Sequence, residues 1–254
     1  MTAAPGVSNA GLVNPAFVLV PSLLLGPRSW APVAAELAAA GTATVTPSLR
    51  TVTATDDPPF WPRVTATVHN AIEQLPPGQP ILVVAHSNAG LFVPVMVGAA
   101  RRPVAGCVFV DGRLPARAGP SPTATPEGLA QLRTMAADGR LPPWTSWWKD
   151  EDVARLFPDP QTRAAVSAEQ TRLPLSYYEQ QIPVPAGWDA RPCGYLLFGP
   201  PYDRVAQDAR DRGWEVEQLP GGHLHQLVDP EAVAARLSAM ARRWVAQSWG
   251  PAAR

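Results

Sequence analysis

Three side chains of this 254-residue sequence stand where they could act together: a serine at a strand-to-helix corner, a histidine in a glycine-rich loop and an aspartate closing an apolar run. The serine is Ser87. It follows the apolar run Ile81–Ala85 and His86, and precedes Asn88, Ala89, Gly90 and a helix-compatible stretch. A chain that turns sharply from strand to helix strains its corner residue, and the positions two residues away on either side must be small. Ala85 and Ala89 meet that demand. Such a corner lifts the hydroxyl above the sheet, beside the first unpaired amides of the helix. A serine among small residues also serves as an ordinary helix N-cap. The buried strand directly before it favours a nucleophile.

A serine hydroxyl attacks efficiently only when a base within hydrogen-bond reach takes its proton. Of four histidines, His69 falls inside a helical stretch and reads as a surface or structural residue, and His86 reads as packing. His223 and His225 remain, in the loop Gly221-Gly-His-Leu-His225. A His-x-His pair could also ligate metal, but no third ligand pattern accompanies it, so no metal or other cofactor is expected. The base needs an acid to orient its ring. Asp111 ends the run Gly106–Val110, where a buried carboxylate requires a partner. Asp203 is the alternative, and it also suits the N-cap of a helix starting at Arg204.

The elements that must position these groups alternate. Apolar runs at Ala16–Val20, Ile81–Ala85, Gly106–Val110 and Cys193–Phe198 suit strands covered on both faces, Thr42–Val45 reads as a second strand and Glu215–Leu219 as a last one. Helices are expected after Ser29 as N-cap, over 62–75, 89–100 and 203–212, and after Asp229 as N-cap with Pro230 at the first position. Alternating strands and helices predict an α/β fold with a doubly wound, mostly parallel sheet. Residues 112–190 break the rhythm with proline-rich turns and with Trp144, Trp147 and Trp148 close together. The expected organisation is therefore a core of residues 1–111 and 191–254 with an inserted helical cap, 112–190, over the carboxyl ends of the strands.

Composition narrows the classes. With 21 basic and 21 acidic residues the net charge is zero, which argues against nucleic acid as partner. Apolar residues at 46% and charged ones at 17% suit a chain with a large core rather than a disordered one. The apolar run Ala16–Leu25 is broken by Pro21 and Ser22 and is too short to cross a membrane. No basic residue precedes Arg28, so no signal peptide is expected. Cys107 and Cys193 read as buried reduced thiols, which suits a cytoplasmic location. The oligomeric state is left open.

From residue 16 to 246 the chain resembles the α/β-hydrolase superfamily, whose nucleophile turn is usually Gly-x-Ser-x-Gly and here is Ala85-x-Ser87-x-Ala89. The resemblance implies that His223, after the last strand and its glycines, is the base in preference to His225. It places the acid most often where Asp203 stands, while some haloalkane dehalogenases and lipases take it from the position of Asp111. Asp111 is preferred here because a helix follows Asp203 immediately and only 20 residues separate Asp203 from His223. For the oxyanion, the amide of Asn88 is expected as one donor. The second is expected from the loop after the first strand, at Leu23 with Ser22 as alternative, where the family usually has His-Gly. That loop, through Ser22 and Leu24, and the tryptophans 144, 147 and 148 should line a pocket for a hydrophobic small molecule. The expected activity is cleavage of an ester, thioester or lactone through an acyl-enzyme. The alternative is a lyase or eliminating enzyme of natural-product metabolism on the same residues, and a non-catalytic binder of small molecules is a third class.

Overall fold

A computed structural model describes residues 14–249. Residues 1–13 and 250–254, which the expected core boundaries and the reading of the N-terminus included, lie outside the described residues. Six strands form the main sheet: β1 (Ala16–Val20), β2 (Thr44–Val45), β3 (Ile81–His86), β4 (Val104–Val110), and, after two short strands β5 (Ser121–Pro122) and β6 (Gln181–Ile182) that pair only with each other, β7 (Cys193–Leu197) and β8 (Glu215–Gln218). Their order is β2-β1-β3-β4-β7-β8, and every pairing within this sheet is parallel.

The apolar runs form such strands because both faces of the sheet are covered. Side chains alternate between faces along a strand. Phe17, Leu19, Leu82, Val84, Val108, Val110 and Leu196 pack on one side with Val33 and Leu37 of α1 (Ala31–Ala39). Val233, Leu237, Met240 and Trp244 of the last helix, Pro230–Trp249, join them. Val18, Val20, Val83, Ala85, Phe109 and Tyr195 pack on the other side. There they meet Val64 and Val68 of α2 (Trp61–Ile72) and Val93 and Met96 of α3 (Val93–Gly98). Among the described residues no helix is long and apolar enough to cross a membrane.

The chain winds from β1 outward to β2, then returns past β1 to β3. The direction therefore reverses between β1 and β3, and the loops leaving these two strands open a crevice at their carboxyl ends. Between β4 and β7 the chain leaves the sheet and forms α4 (Pro126–Met135), α5 (Asp150–Ala154), α6 (Pro160–Ser167) and α7 (Ser176–Glu179). Then come α8 (Asp203–Asp211), α9 (His225–Val228) and the last helix, α10 (Pro230–Trp249).

Three local expectations are corrected. Ser29 does not cap α1; it ends a short 3-10 turn, Pro27–Ser29, and its hydroxyl donates to the carbonyl of Gly26. The helix expected over 89–100 is a 3-10 segment, Ser87–Phe92, followed by α3, as the tight elbow and Pro94 interrupt regular α geometry. Asp203 is the first residue of α8 rather than its N-cap; Tyr202 holds that position, without a side-chain cap. The Asp229 cap is present, its carboxylate accepting the amide of Ala232 at 3.0 Å.

Candidate active site

Ser87 sits at the end of β3 with φ +59°, the left-handed conformation that the sharp turn demands. Such a conformation costs a non-glycine residue about 1–3 kcal/mol and persists only where its surroundings impose it. The imposition comes from the next strand. After β4, Asp111 also has positive φ (+40°), and the amide of Arg113 donates to the Ser87 carbonyl at 3.1 Å. Between them Gly112 passes so close to the elbow that a Cβ there would stand 2.3 Å from the Ser87 carbonyl oxygen and 2.6 Å from its nitrogen. Gly90 plays the reciprocal part, since a Cβ there would meet the Arg113 carbonyl at 2.2 Å.

The loop after β8 brings His223 to the same place. Its Nε2 lies 3.1 Å from Ser87 Oγ and its Nδ1 lies 2.7 Å from Asp111 Oδ2. A carboxylate only accepts, so Nδ1 carries the hydrogen and Nε2 presents its lone pair to the serine hydroxyl. Asp111 is 1% exposed and its second oxygen accepts the amides of Phe198 at 3.0 Å and Gly199 at 3.3 Å. Its desolvation is thus offset by three hydrogen bonds. Asp203 makes no such contact: it is exposed in the first turn of α8. His225 turns the other way, its ring edge-on to Phe198 with centroids 5.4 Å apart, and packs on Gly221.

His86, read from sequence as packing, has a more specific place. Its ring is fully buried, and its Nε2 donates to the backbone carbonyl of His223 at 2.9 Å. Burial holds it well below the ordinary histidine range, and the neighbouring His223 pushes in the same direction. The two rings lie 4.7 Å apart, and Tyr202 stacks on His223 at 5.3 Å and 18°. His69 bonds the carbonyl of Met96, away from this site, as a structural residue would.

The two expected oxyanion donors differ in their surroundings. Asn88 is the second residue of the 3-10 segment, so its amide has no acceptor within that helix. Leu23 is different. Its amide donates to the side-chain oxygen of Asn88 at 3.3 Å, so it is not a free donor in this structure. The Ser22 hydroxyl donates to the same oxygen at 2.8 Å and accepts the amide of Leu24 at 3.2 Å. Ser22 is therefore buried in a clamp between the β1 loop and the elbow, and does not line the cavity as expected. Sequence reasoning considered only the backbone of Asn88; a polar residue directly after the elbow serine was the available signal.

Ser87 and His223 open into a cavity of about 490 Å³. Leu24, Trp144, Trp147, Trp148 and Tyr178 line it. Leu141, Phe157 and Tyr177 belong to the buried core. Among the lining residues that the sequence did not single out are Thr123, Tyr202, Arg113 and Asp152. Burial raises the phenol of Tyr202 above the ordinary tyrosine range. Among the described residues no three His, Cys, Asp or Glu side chains gather as a metal site would require.

A strained serine above a parallel sheet, beside a histidine and an aspartate from later strand ends, is the architecture of the α/β-hydrolase family. The model of that family matches residues 17–236, and the chain belongs to it. Comparison with curated protein sequences gives no match. Among solved structures the chain is similar to an extracellular α/β-hydrolase from a Paenibacillus species (TM-score 0.70, 16% identity, 89% of this chain and 98% of that one). It is also similar to the pyrethroid hydrolase PytH (0.68, 16%, 91% and 98%) and to tomato methylketone synthase I in complex with 2-tridecanone (0.66, 12%, 91% and 99%). At these identities the likeness concerns the fold.

Proposed function

We propose that the protein is a serine hydrolase that cleaves an ester, thioester or lactone of a hydrophobic small molecule through an acyl-enzyme. The observation that carries this is the unbroken chain from Ser87 Oγ through His223 to the buried Asp111, opening on an aromatic cavity. Ser87 attacks the carbonyl carbon while His223 Nε2 takes the hydroxyl proton. The Asn88 amide holds the developing oxyanion. His223 returns the proton to the leaving oxygen or sulfur. Water then enters, loses a proton to His223, and releases the acid and free Ser87. Each proton is moved by these side chains, so the scheme calls for no cofactor. Residues 112–190 act as a cap, contributing the tryptophans that cover the acyl chain. The buried, unbridged Cys107 and Cys193 suit a reducing, cytoplasmic setting.

One observation favours a second reading, proton abstraction and elimination without a lasting acyl-enzyme. With the Leu23 amide occupied by Asn88, the Asn88 amide is the one backbone donor left of the two that the hydrolase reading assigns to the oxyanion. The test is rapid-mixing kinetics with 4-nitrophenyl hexanoate, together with labelling by a fluorophosphonate. The hydrolase reading expects a burst equal to the enzyme concentration and a covalent adduct on Ser87, both lost in Ser87→Ala. An adduct on another serine, or turnover of a cleavable substrate with no acyl-enzyme detectable by mass spectrometry, would overturn it.

A further inference from the structure

The cavity over Ser87 is apolar on most of its wall, with one cationic side chain among the described residues that line it. That residue is Arg113. Its backbone is tied to the elbow by the 3.1 Å bond from its amide to the Ser87 carbonyl, so its guanidinium hangs from the same framework that positions the nucleophile. The side chain is half-buried. It is steadied by two backbone carbonyls, those of Thr123 and Pro122, the latter at 3.2 Å. Carbonyl oxygens orient a guanidinium but leave its charge uncompensated. Among the described residues no carboxylate lies within 4 Å of it; Arg63 and Arg102 are likewise held by backbone carbonyls but lie outside the cavity, whereas Arg28, Arg117, Arg133, Arg140, Arg163 and Arg243 pair with acids. The one acid on the cavity wall, Asp152, is a mostly solvated residue of α5 whose recorded partner is Arg155 at 3.8 Å.

The surroundings are those of a site for an anion. The phenol hydroxyls of Tyr178 and Tyr202 belong to residues on the same wall, while the Thr123 hydroxyl donates to the Gln180 carbonyl at 2.9 Å. Burial raises the Tyr178 phenol well above its ordinary range, so it keeps its proton and can donate, while the positive charge of Arg113 acts on it from nearby. A partly desolvated guanidinium beside neutral hydroxyl donors recognises a planar, two-oxygen anion better than any uncharged group.

We propose that Arg113 binds a carboxylate of the substrate, so that the molecule cleaved has an apolar body and a free carboxylate in addition to its reacting carbonyl. This rests on the serine-hydrolase reading for the identity of the reacting carbonyl, and not for the anion site itself.

The test separates the two. Calorimetry in the Ser87→Ala background, where no acyl-enzyme can form, compares the monoamide of adipic acid with hexanamide, which has the same chain without the carboxylate. The expected result is a preference for adipic monoamide of about tenfold or more, the usual worth of one charge-assisted pair. Adding Arg113→Gln should abolish that preference, and Arg113→Lys should restore part of it. An arginine that only anchors the 122–123 carbonyls would weaken both ligands together and leave their ratio unchanged. A ratio near one in the Ser87→Ala protein, or a ratio that survives Arg113→Gln with melting temperature preserved, overturns the proposal. Turnover of 4-nitrophenyl hydrogen adipate against 4-nitrophenyl hexanoate is measured in parallel with wild-type protein. Loss of turnover on both esters with an intact binding ratio would sink the hydrolase reading and uphold the anion site.

Discussion

Asp111 lies 2.7 Å from His223 although 112 residues separate them in the chain, and the contact is a consequence of strand pairing. β4 lies between β3, which delivers Ser87, and β7, whose end supplies the Phe198 and Gly199 amides to the same carboxylate. A side chain at the end of β4 thus stands between the nucleophile and the incoming loop after β8. Asp203, one strand further along, starts a helix that faces solvent.

The two aspartates make opposite demands. Asp111→Asn should lower kcat by about 10⁴-fold with the fold retained, because the amide selects the wrong imidazole tautomer. Asp203→Asn should leave kcat within a factor of about two, since surface substitutions away from special contacts are nearly neutral. Steady-state kinetics on both variants, with circular dichroism as the fold control, checks this. An inactive, folded Asp203→Asn beside an active Asp111→Asn would reverse the assignment.

The two histidines of the loop after β8 are likewise separable. His223→Ala should remove nearly all turnover and slow fluorophosphonate labelling of Ser87 by about 10³-fold or more, because the base is gone. His225→Ala should act on stability, losing the packing against Phe198 at a cost of about 1 kcal/mol, and leave labelling largely intact. The comparison is of labelling rates and melting temperatures; a dead His225→Ala would place the base two residues later.

His86 links stability to pH. Its pKa in the folded protein is lowered, chiefly by burial, well below the ordinary histidine value of 6.5. Between 6.5 and that lower value the unfolded chain binds a proton that the native state does not, so stability falls as pH drops through this window. The slope from one such group is at most about 1.4 kcal/mol per pH unit. Above the window both states are neutral and His86 makes no pH-dependent contribution. His86→Gln, which keeps a donor for the His223 carbonyl, should flatten the fall in melting temperature between pH 7 and pH 5. An unchanged slope would mean that other groups carry it.

Gly112→Ala probes the approach of β4 to the elbow. The new Cβ would crowd Ser87 backbone atoms at 2.3–2.7 Å, contacts that only a backbone shift can relieve. Overpacking of this kind costs about 1–3 kcal/mol, and the shift moves Ser87 away from His223. A lower melting temperature together with slower labelling is expected; a stable, fully active variant would show that the elbow tolerates displacement.

Much of this site is legible in the local sequence. The strands were legible because a sheet covered on both faces demands apolar residues at every position, a local signal that β1, β3 and β4 display plainly. Ser87 was legible because its strain requires small neighbours at fixed sequence distance. His223 was legible through the Gly-His step that the family resemblance singles out. Each of these is a constraint between residues close in the chain.

What remained ambiguous depends on contacts between distant segments. Asp111 and Asp203 both follow strands, and only the order β3-β4-β7 decides which of them reaches His223. Leu23 looked like a free amide until the Asn88 side chain, 65 residues later, was found bonded to it. Arg113 sits two residues after Asp111 and could equally have faced water; the fold of 112–190 turns it into the cavity wall beside Tyr178 and Tyr202. Periodicity and small-residue spacing act along the chain, whereas a hydrogen bond or an uncompensated charge is decided by which segments the sheet order and the inserted helices bring within about 3–4 Å of one another.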